Sequence, residues 1–250
     1  MSADDLELFK RTLRRREALV ALGGLGAGVV WAATRGTAGL ARAATTSPEA
    51  TAAATCVLAR EVTEGPYWIS NHLTRRNIKD GCPGVPLALY ITVVNATTCK
   101  PISGADVEVW HADAGGVYSG YSAGAAPSGG GGHATPNDSK RFLRGHQKTD
   151  ASGRAHFDSI YPGWYRGRTP HIHLKVHVGG SVVHTGQLFF SDSTSRAVYR
   201  TSRYRSHGLQ DTTNAHDSIY ASAGGARALV HLARRSAGGY NGTVTVGVKR

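Results

Sequence analysis

The sequence predicts a mostly β protein, a β-sandwich core with long irregular loops. Three observations point there. The 250 residues include 32 glycines, and outside the first 43 residues long apolar runs are few. Several short segments alternate apolar and polar side chains, as half-buried strands do. Turn-forming residues separate those segments at short intervals, the spacing of a sandwich rather than of a helical protein.

The elements follow in order. Glu64-Gly65-Pro66-Tyr67-Trp68 reads as a turn carrying aromatic residues. Leu87 to Val94 is rich in β-branched and apolar residues and ends at Asn95. Ala105 to His111 alternates. Residues 123–138 are small and Gly-rich, with Gly129 to Gly132 in a row, the composition of a surface loop. Asp150-Ala151-Ser152-Gly153 is a turn leading into a strand at Arg154 to Ile160. His171 to Val178 is another strand, Gly179-Gly180 a hairpin turn, and Ser181 to Phe190 the returning strand. Tyr199 to Ala223 is polar and irregular, Ala226 to Ala233 is a short helix or strand, and Thr243 to Val248 closes the fold as a strand.

Three parts are expected along the chain: residues 1–43, 44–60 and 61–250. In the first, Arg14-Arg15-Arg16 precedes a small-residue, weakly apolar stretch, and Ala41-Arg42-Ala43 gives an A-x-A cleavage pattern. This is the form of a twin-arginine export signal. Glycines and Arg35 make the stretch a poor bilayer span. The expectation is a secreted or extracytoplasmic protein with no stable membrane anchor. Residues 44–60 are a linker. Lys and Arg outnumber Asp and Glu by 29 to 17, for a formal charge of +12. The arginines are scattered, with no basic run of the kind nucleic-acid tails show, so no nucleic-acid partner is expected. Of the three cysteines, Cys56, Cys82 and Cys99, two can pair outside the cytoplasm. Cys56–Cys99 is the favoured bridge, tying the start of the mature domain to the end of an early strand, and Cys82 is left over.

The chemistry concentrates in one strand. Side chains of His171-Ile172-His173-Leu174-Lys175-Val176-His177-Val178 alternate between faces. Ile172, Leu174, Val176 and Val178 turn to the core, and His171, His173, Lys175 and His177 to the other face. Two imidazoles at i and i+2 on one rigid face can share a metal ion, although an H-x-H pair alone is a weak signal. His111, His146 and His177 read as ordinary polar positions, and Trp110 as core.

The surroundings of that strand are more specific. Pro162-x-x-Tyr165-x-x-Arg168-x-Pro170-His171-Ile172-His173 resembles the signature of intradiol ring-cleavage dioxygenases, the group of catechol 1,2- and protocatechuate 3,4-dioxygenases. Glu64-Gly65-Pro66-Tyr67, the stretch from Trp110 to Tyr118, Leu143-Arg144-Gly145 and Gly186-Gln187 fit the same family in the same order, from about Cys56 to the C-terminus. The chain is most similar in kind to an exported, single-domain branch. The resemblance implies a non-haem Fe(III) held by Tyr118, Tyr165, His171 and His173, with Arg168 and Gln187 near the bound ring and Pro66 and Tyr67 lining the pocket. The implied substrates are O2 and a small aromatic diol: catechol, protocatechuate, hydroxyquinol or a lignin-derived relative. The cytoplasmic enzymes carry a helical dimerisation segment before the sandwich. Only a signal and linker are expected here, so that style of dimer is in doubt, a homodimer of another kind stays open, and a wider pocket mouth is expected.

The ligand set makes chemical sense. Phenolate is a hard anionic donor that suits iron(III). Two phenolates and one hydroxide neutralise a trivalent ion, which a partly dry pocket tolerates better than net charge. Arg168 would stabilise negative charge developing on the ring oxygens. Gln187 depends on hairpin register: a tight two-residue turn at Gly179-Gly180 would set it opposite Ile172, on the core face, and a one-residue bulge would bring it round. Two other classes compete. One is a secreted β-sandwich binding module with a degenerate metal site, against which all four ligand positions and Arg168 are retained. The other is a zinc hydrolase, which lacks a third His or carboxylate in the pattern.

Overall fold

The computed structural model describes Cys56, residues 59–122 and residues 132–249. The segment expected to be an export signal and most of the expected linker, together with residues 123–131 of the Gly-rich loop, lie outside the described residues.

Eight strands form two four-stranded sheets. They are β1 (Pro86–Asn95), β2 (Asp106–Trp110), β3 (Arg144–Lys148), β4 (Arg154–Ile160), β5 (His171–Val178), β6 (Ser181–Phe189), β7 (His231–Arg234) and β8 (Tyr240–Val248). One sheet runs β4-β1-β8-β7 and the other β3-β2-β5-β6. All pairings are antiparallel except β1 with β8.

The sandwich follows from the alternation. Leu87, Leu89, Ile91 and Val93 of β1 are buried and join Val107 and Val109 of β2, Ile172, Leu174 and Val176 of β5, and Val244 and Val246 of β8 in one core. Each such side chain removed from water contributes about 1.5–3 kcal/mol, which holds the two sheets face to face. The reading of β5 is correct: its even-numbered residues through Val176 face that core. Its other face is also covered. His171, His173 and Lys175 are buried because the segment from residue 63 to 74 and the loop after β2 close over them.

Some elements escape the pattern. β3, with the sequence RGHQK, has no apolar alternation and is a strand because β2 pairs with it. Helix α1 (Asp192–Tyr199) opens on Asp, Ser, Thr and Ser, weak helix formers. Ser191 caps it, and Val198 and Tyr199 bury its last turn. The polar stretch after it contains a short 3-10 turn, Asn214–His216, and helix α2 (Ser218–Ser222). The segment read as helix or strand is both, a 3-10 turn at Gly225–Ala228 followed by β7. Cys56 and Cys99 are joined, with their Cα atoms 5.5 Å apart, and Cys82 is a free thiol that burial pushes up to about 11. Among the described residues no helix is long and apolar enough to cross a membrane.

Candidate metal centre and active site

Two loops and one strand bring four donor atoms together. His171 and His173 project from the covered face of β5. Tyr118 comes from the loop after β2, and Tyr165 from the loop between β4 and β5. His171 Nε2 lies 3.1 Å from His173 Nε2 and 3.3 Å from each tyrosine hydroxyl. His173 Nε2 lies 3.0 Å from the Tyr118 hydroxyl.

Glycines let the two tyrosine loops meet backbone to backbone. Gly163 N–H donates to the Asp113 carbonyl, and a Cβ on Gly163 would lie 2.1 Å from that oxygen. Gly116, at φ +81°, is its counterpart: a Cβ there would lie 2.1 Å from the Trp164 carbonyl. The Asp113 carboxylate accepts from Gly115 and Val117 N–H and closes the turn that presents Tyr118.

The second layer fixes orientation. His171 Nδ1 donates to the Thr169 carbonyl at 2.7 Å, which leaves Nε2 as the free lone pair. Trp110 stacks on His173, ring centres 4.9 Å apart and nearly parallel. Arg144 is fully buried beside Tyr118, donating to the Ser119 hydroxyl and carbonyl, and burial pulls it down to about 10. Tyr67, expected in the pocket, stacks on Tyr118 at 4.5 Å and meets Tyr165 edge-on, so it stands beside the donor cluster, while Pro66 accepts from Ala134 N–H. Gly65 packs so closely that its Cβ would be 3.1 Å from the His173 ring.

Gln187 is on the site face. The strands pair Val178 with Ser181 across the glycine turn, but Val176 pairs with His184, so Val183 is an extra residue. That bulge moves Gln187 from opposite Ile172 to opposite His173. Its Oε1 accepts from Arg168 at 2.6 Å, and its Nε2 donates to the Thr63 carbonyl. Arg168 also approaches the Tyr165 hydroxyl at 3.4 Å and pairs through Nε with Asp217 at 2.8 Å.

The other histidines behave as ordinary polar positions. His111 is a satisfied core residue, bonded to the Ala112 carbonyl and the Ser159 hydroxyl. His146 and His177 flank the buried Glu108 at 3.5 and 3.6 Å. That carboxylate also accepts from Trp68 and Asn71, and Lys175 pairs with Glu64. Together these contacts clamp residues 64–73 onto the sheet. Asp217 and the stacking role of Trp110 are absent from the sequence reading; Asp217 sits in a stretch with no pattern to mark it.

Burial sets the protonation of the cluster. It holds His173 well below the usual imidazole range and, with Arg168 nearby, takes His171 down to about 3. It pushes Tyr118 well up and Tyr165 up, the nearby Arg168 pulling both the other way. The cluster is therefore two neutral imidazoles and two protonated phenols at neutral pH. Donors spaced 3.0–3.3 Å apart match the spacing of ligands around one ion at about 2.0 Å. Among the described residues no group of three or more His, Cys, Asp or Glu is placed to hold a metal ion, so a metal at this point would need the tyrosines. The donor set fits a hard trivalent cation: two imidazoles ready to bind and two phenols that become anions on loading.

A family model described as "Dioxygenase" matches residues 63–198. An intradiol ring-cleavage dioxygenase from Tetranychus urticae superposes with a TM-score of 0.73 at 35% identity, covering 78% of this chain and 95% of that one. The chain belongs to the intradiol ring-cleavage dioxygenase family. The fold is shared more widely. A 3-chlorocatechol 1,2-dioxygenase from Rhodococcus opacus 1CP matches at 19% identity with a TM-score of 0.53, over 78% of this chain and 74% of that one. A hydroxyquinol 1,2-dioxygenase from Pseudomonas putida DLL-E4 matches at 17% identity with a TM-score of 0.55, over 76% and 66%. A search of curated proteins finds no match. Membership makes this chain a ring-cleaving dioxygenase.

Proposed function

We propose that this dioxygenase uses a non-haem iron(III), held by Tyr118, Tyr165, His171 and His173, to open catechol-type rings between their two hydroxylated carbons, giving cis,cis-muconate-type diacids. The observation that carries the reading is the buried four-donor cluster, spaced at 3.0–3.3 Å. Bound iron(III) would withdraw electron density from the ring so that it reacts with O2.

The chain's own residues do the rest. A catechol must lose two protons to chelate. Tyr165 is less buried than Tyr118, so its phenolate oxygen is placed to accept one of them, and a hydroxide from solvent would take the other. Arg168 supplies the positive charge next to the oxygens where negative charge develops, and low dielectric magnifies its effect. Gln187 accepts from one terminal nitrogen of that guanidinium and, through its own amide, ties it to the Thr63 carbonyl. Tyr67, stacked on Tyr118, and its neighbour Pro66 would line the pocket that takes the ring. A decayed binding module is disfavoured, since it would have no reason to keep neutral imidazoles and stacked, oriented phenols converging on one point. A wide mouth that admits bulky, lignin-derived diols, a homodimer, and twin-arginine export belong to the same proposal. Arg14, Arg15 and Arg16 replaced by lysine should leave the protein inside the cell.

The test uses the full chain loaded with iron(III). A broad tyrosinate charge-transfer band is expected in the visible, shifting when catechol, protocatechuate or hydroxyquinol is added in air, with O2 uptake and a diacid product. Tyr118→Phe and Tyr165→Phe should each weaken the band. A colourless, inactive protein after iron loading would sink the proposal.

A further inference from the structure

The two shortest bonds of the Arg168 guanidinium go to residues far from it in the sequence. Its Nε donates to Asp217 Oδ2 at 2.8 Å, across 49 positions of sequence, and the same oxygen accepts the Thr169 backbone N–H at 3.0 Å. The other carboxylate oxygen accepts the Ile219 and Tyr220 N–H groups at 2.8 and 3.1 Å, capping α2. Asp217 is itself buried, its side chain 1% exposed against 15% for Arg168. Three residues earlier, Asn214 accepts the Thr169 hydroxyl at 2.7 Å and donates to the Phe190 carbonyl at 2.8 Å. The segment from Asn214 to Asp217 therefore grips residues 168 and 169 together.

The shape of the pair matters. A carboxylate and a guanidinium that only stabilise each other usually meet in a two-pronged contact that occupies a terminal nitrogen. Asp217 takes Nε alone. Both terminal nitrogens stay on the site side, one at 2.6 Å from Gln187 Oε1 and one at 3.4 Å from the Tyr165 hydroxyl. A guanidinium has about five N–H donors, so some remain for a substrate oxygen.

We infer that Asp217 is the positioning residue of the active site: it fixes Arg168 by its Nε edge so that the terminal nitrogens are aimed at the diol oxygens of a catechol-type substrate. This rests on the proposed function above. It also separates two duties of one side chain. The cap needs one oxygen, and asparagine caps about as well as aspartate. Arg168 needs the second oxygen and the charge, and a side-chain amide in place of the carboxylate would turn a donor or a neutral oxygen toward Nε.

The variant Asp217→Asn tests it in three readouts. Iron(III)-loaded Asp217→Asn should keep the visible band, because the four donors are untouched, while its catechol dissociation constant rises roughly tenfold or more. In an Arg168→Gln background the same change should add nothing, since there is no guanidinium to aim. Equal weakening in both backgrounds, or unchanged catechol binding in Asp217→Asn, would overturn the inference. The third readout needs neither iron nor activity. In the metal-free protein the Arg168 Nε–H resonance, identified by its loss in Arg168→Gln, should exchange slowly with water, and Asp217→Asn should make it exchange fast. Equal exchange in the two proteins would refute the anchoring whatever the iron does. A wild-type protein that takes up iron with no visible band and no catechol binding would instead count against the functional proposal, leaving the exchange measurement to decide the role of Asp217.

Discussion

At the residue scale the cluster is a set of donors whose protonation is dictated by burial. Tyr118 and Tyr165 are pushed up by desolvation and keep their protons at neutral pH until a cation displaces them. Loading iron(III) should therefore release about two protons per ion from the phenols, and affinity should rise with pH as those protons become easier to remove. Calorimetry in buffers of different ionisation enthalpy counts them; no release would mean that the phenols are not ligands. Two buried imidazoles, His111 at about 4 and His171 at about 3, lie below the ordinary value of 6.5, and burial is the leading cause for each. In the unfolded chain these groups take up protons near pH 6.5, while the folded protein refuses them. The unfolded state binds more protons in that window, so stability is full above about pH 6.5 and is lost as pH falls toward 3. The melting temperature of the metal-free protein should follow this curve, and His111→Gln should make it shallower.

At the element scale the site depends on where backbones touch. The loops that carry Tyr118 and Tyr165 interlock at Gly116 and Gly163, each with room for a hydrogen and none for a methyl. Gly116→Ala adds a left-handed φ penalty to a clash with the Trp164 carbonyl and should cost roughly 2–4 kcal/mol. The same variant should blur the iron spectrum more than it alters far-UV dichroism, because the sandwich core lies elsewhere. A variant as stable as wild type with a normal band would contradict that reading. The strand β5 shows how much of an element is legible. Its alternation placed the two histidines and the core face correctly, because the period of a strand is fixed by backbone geometry. The position of Gln187 was not legible, since it turns on one extra residue, Val183, in the partner strand. Nor were β3 and α1, whose sequences lack a periodic apolar face and which form because β2, Val198 and Tyr199 supply the contacts.

At the scale of the whole molecule, one covalent bond ties the start of the described domain to the sandwich. The bridge between Cys56 and Cys99 closes a loop of 43 residues, and its removal by Cys56→Ser with Cys99→Ser should lower stability by about 2–4 kcal/mol. Chemical denaturation with and without reductant checks this, and a protein equally stable without the bridge would refute it. The segment after Cys56 leads to the active site: Val62 N–H donates to the Thr185 carbonyl, the Thr63 carbonyl accepts from Gln187, and Tyr67 stacks on Tyr118. Loss of the bridge should therefore also weaken substrate binding more than it weakens iron binding.

The sequence by itself determined the sandwich class, the strand that carries His171 and His173, and the residue types able to hold a hard cation. Those are properties of short stretches, where alternation and motif spacing are set by the local chain. The tertiary structure decided the rest: that Tyr118 and Tyr165 reach the same point as the two histidines, that a bulge turns Gln187 toward them, and that Asp217 grips Arg168 from 49 residues away. These depend on loop closure, on contacts between backbones at glycines, and on a buried charge finding a partner. The partner is chosen by three-dimensional proximity, and no spacing in the chain records it.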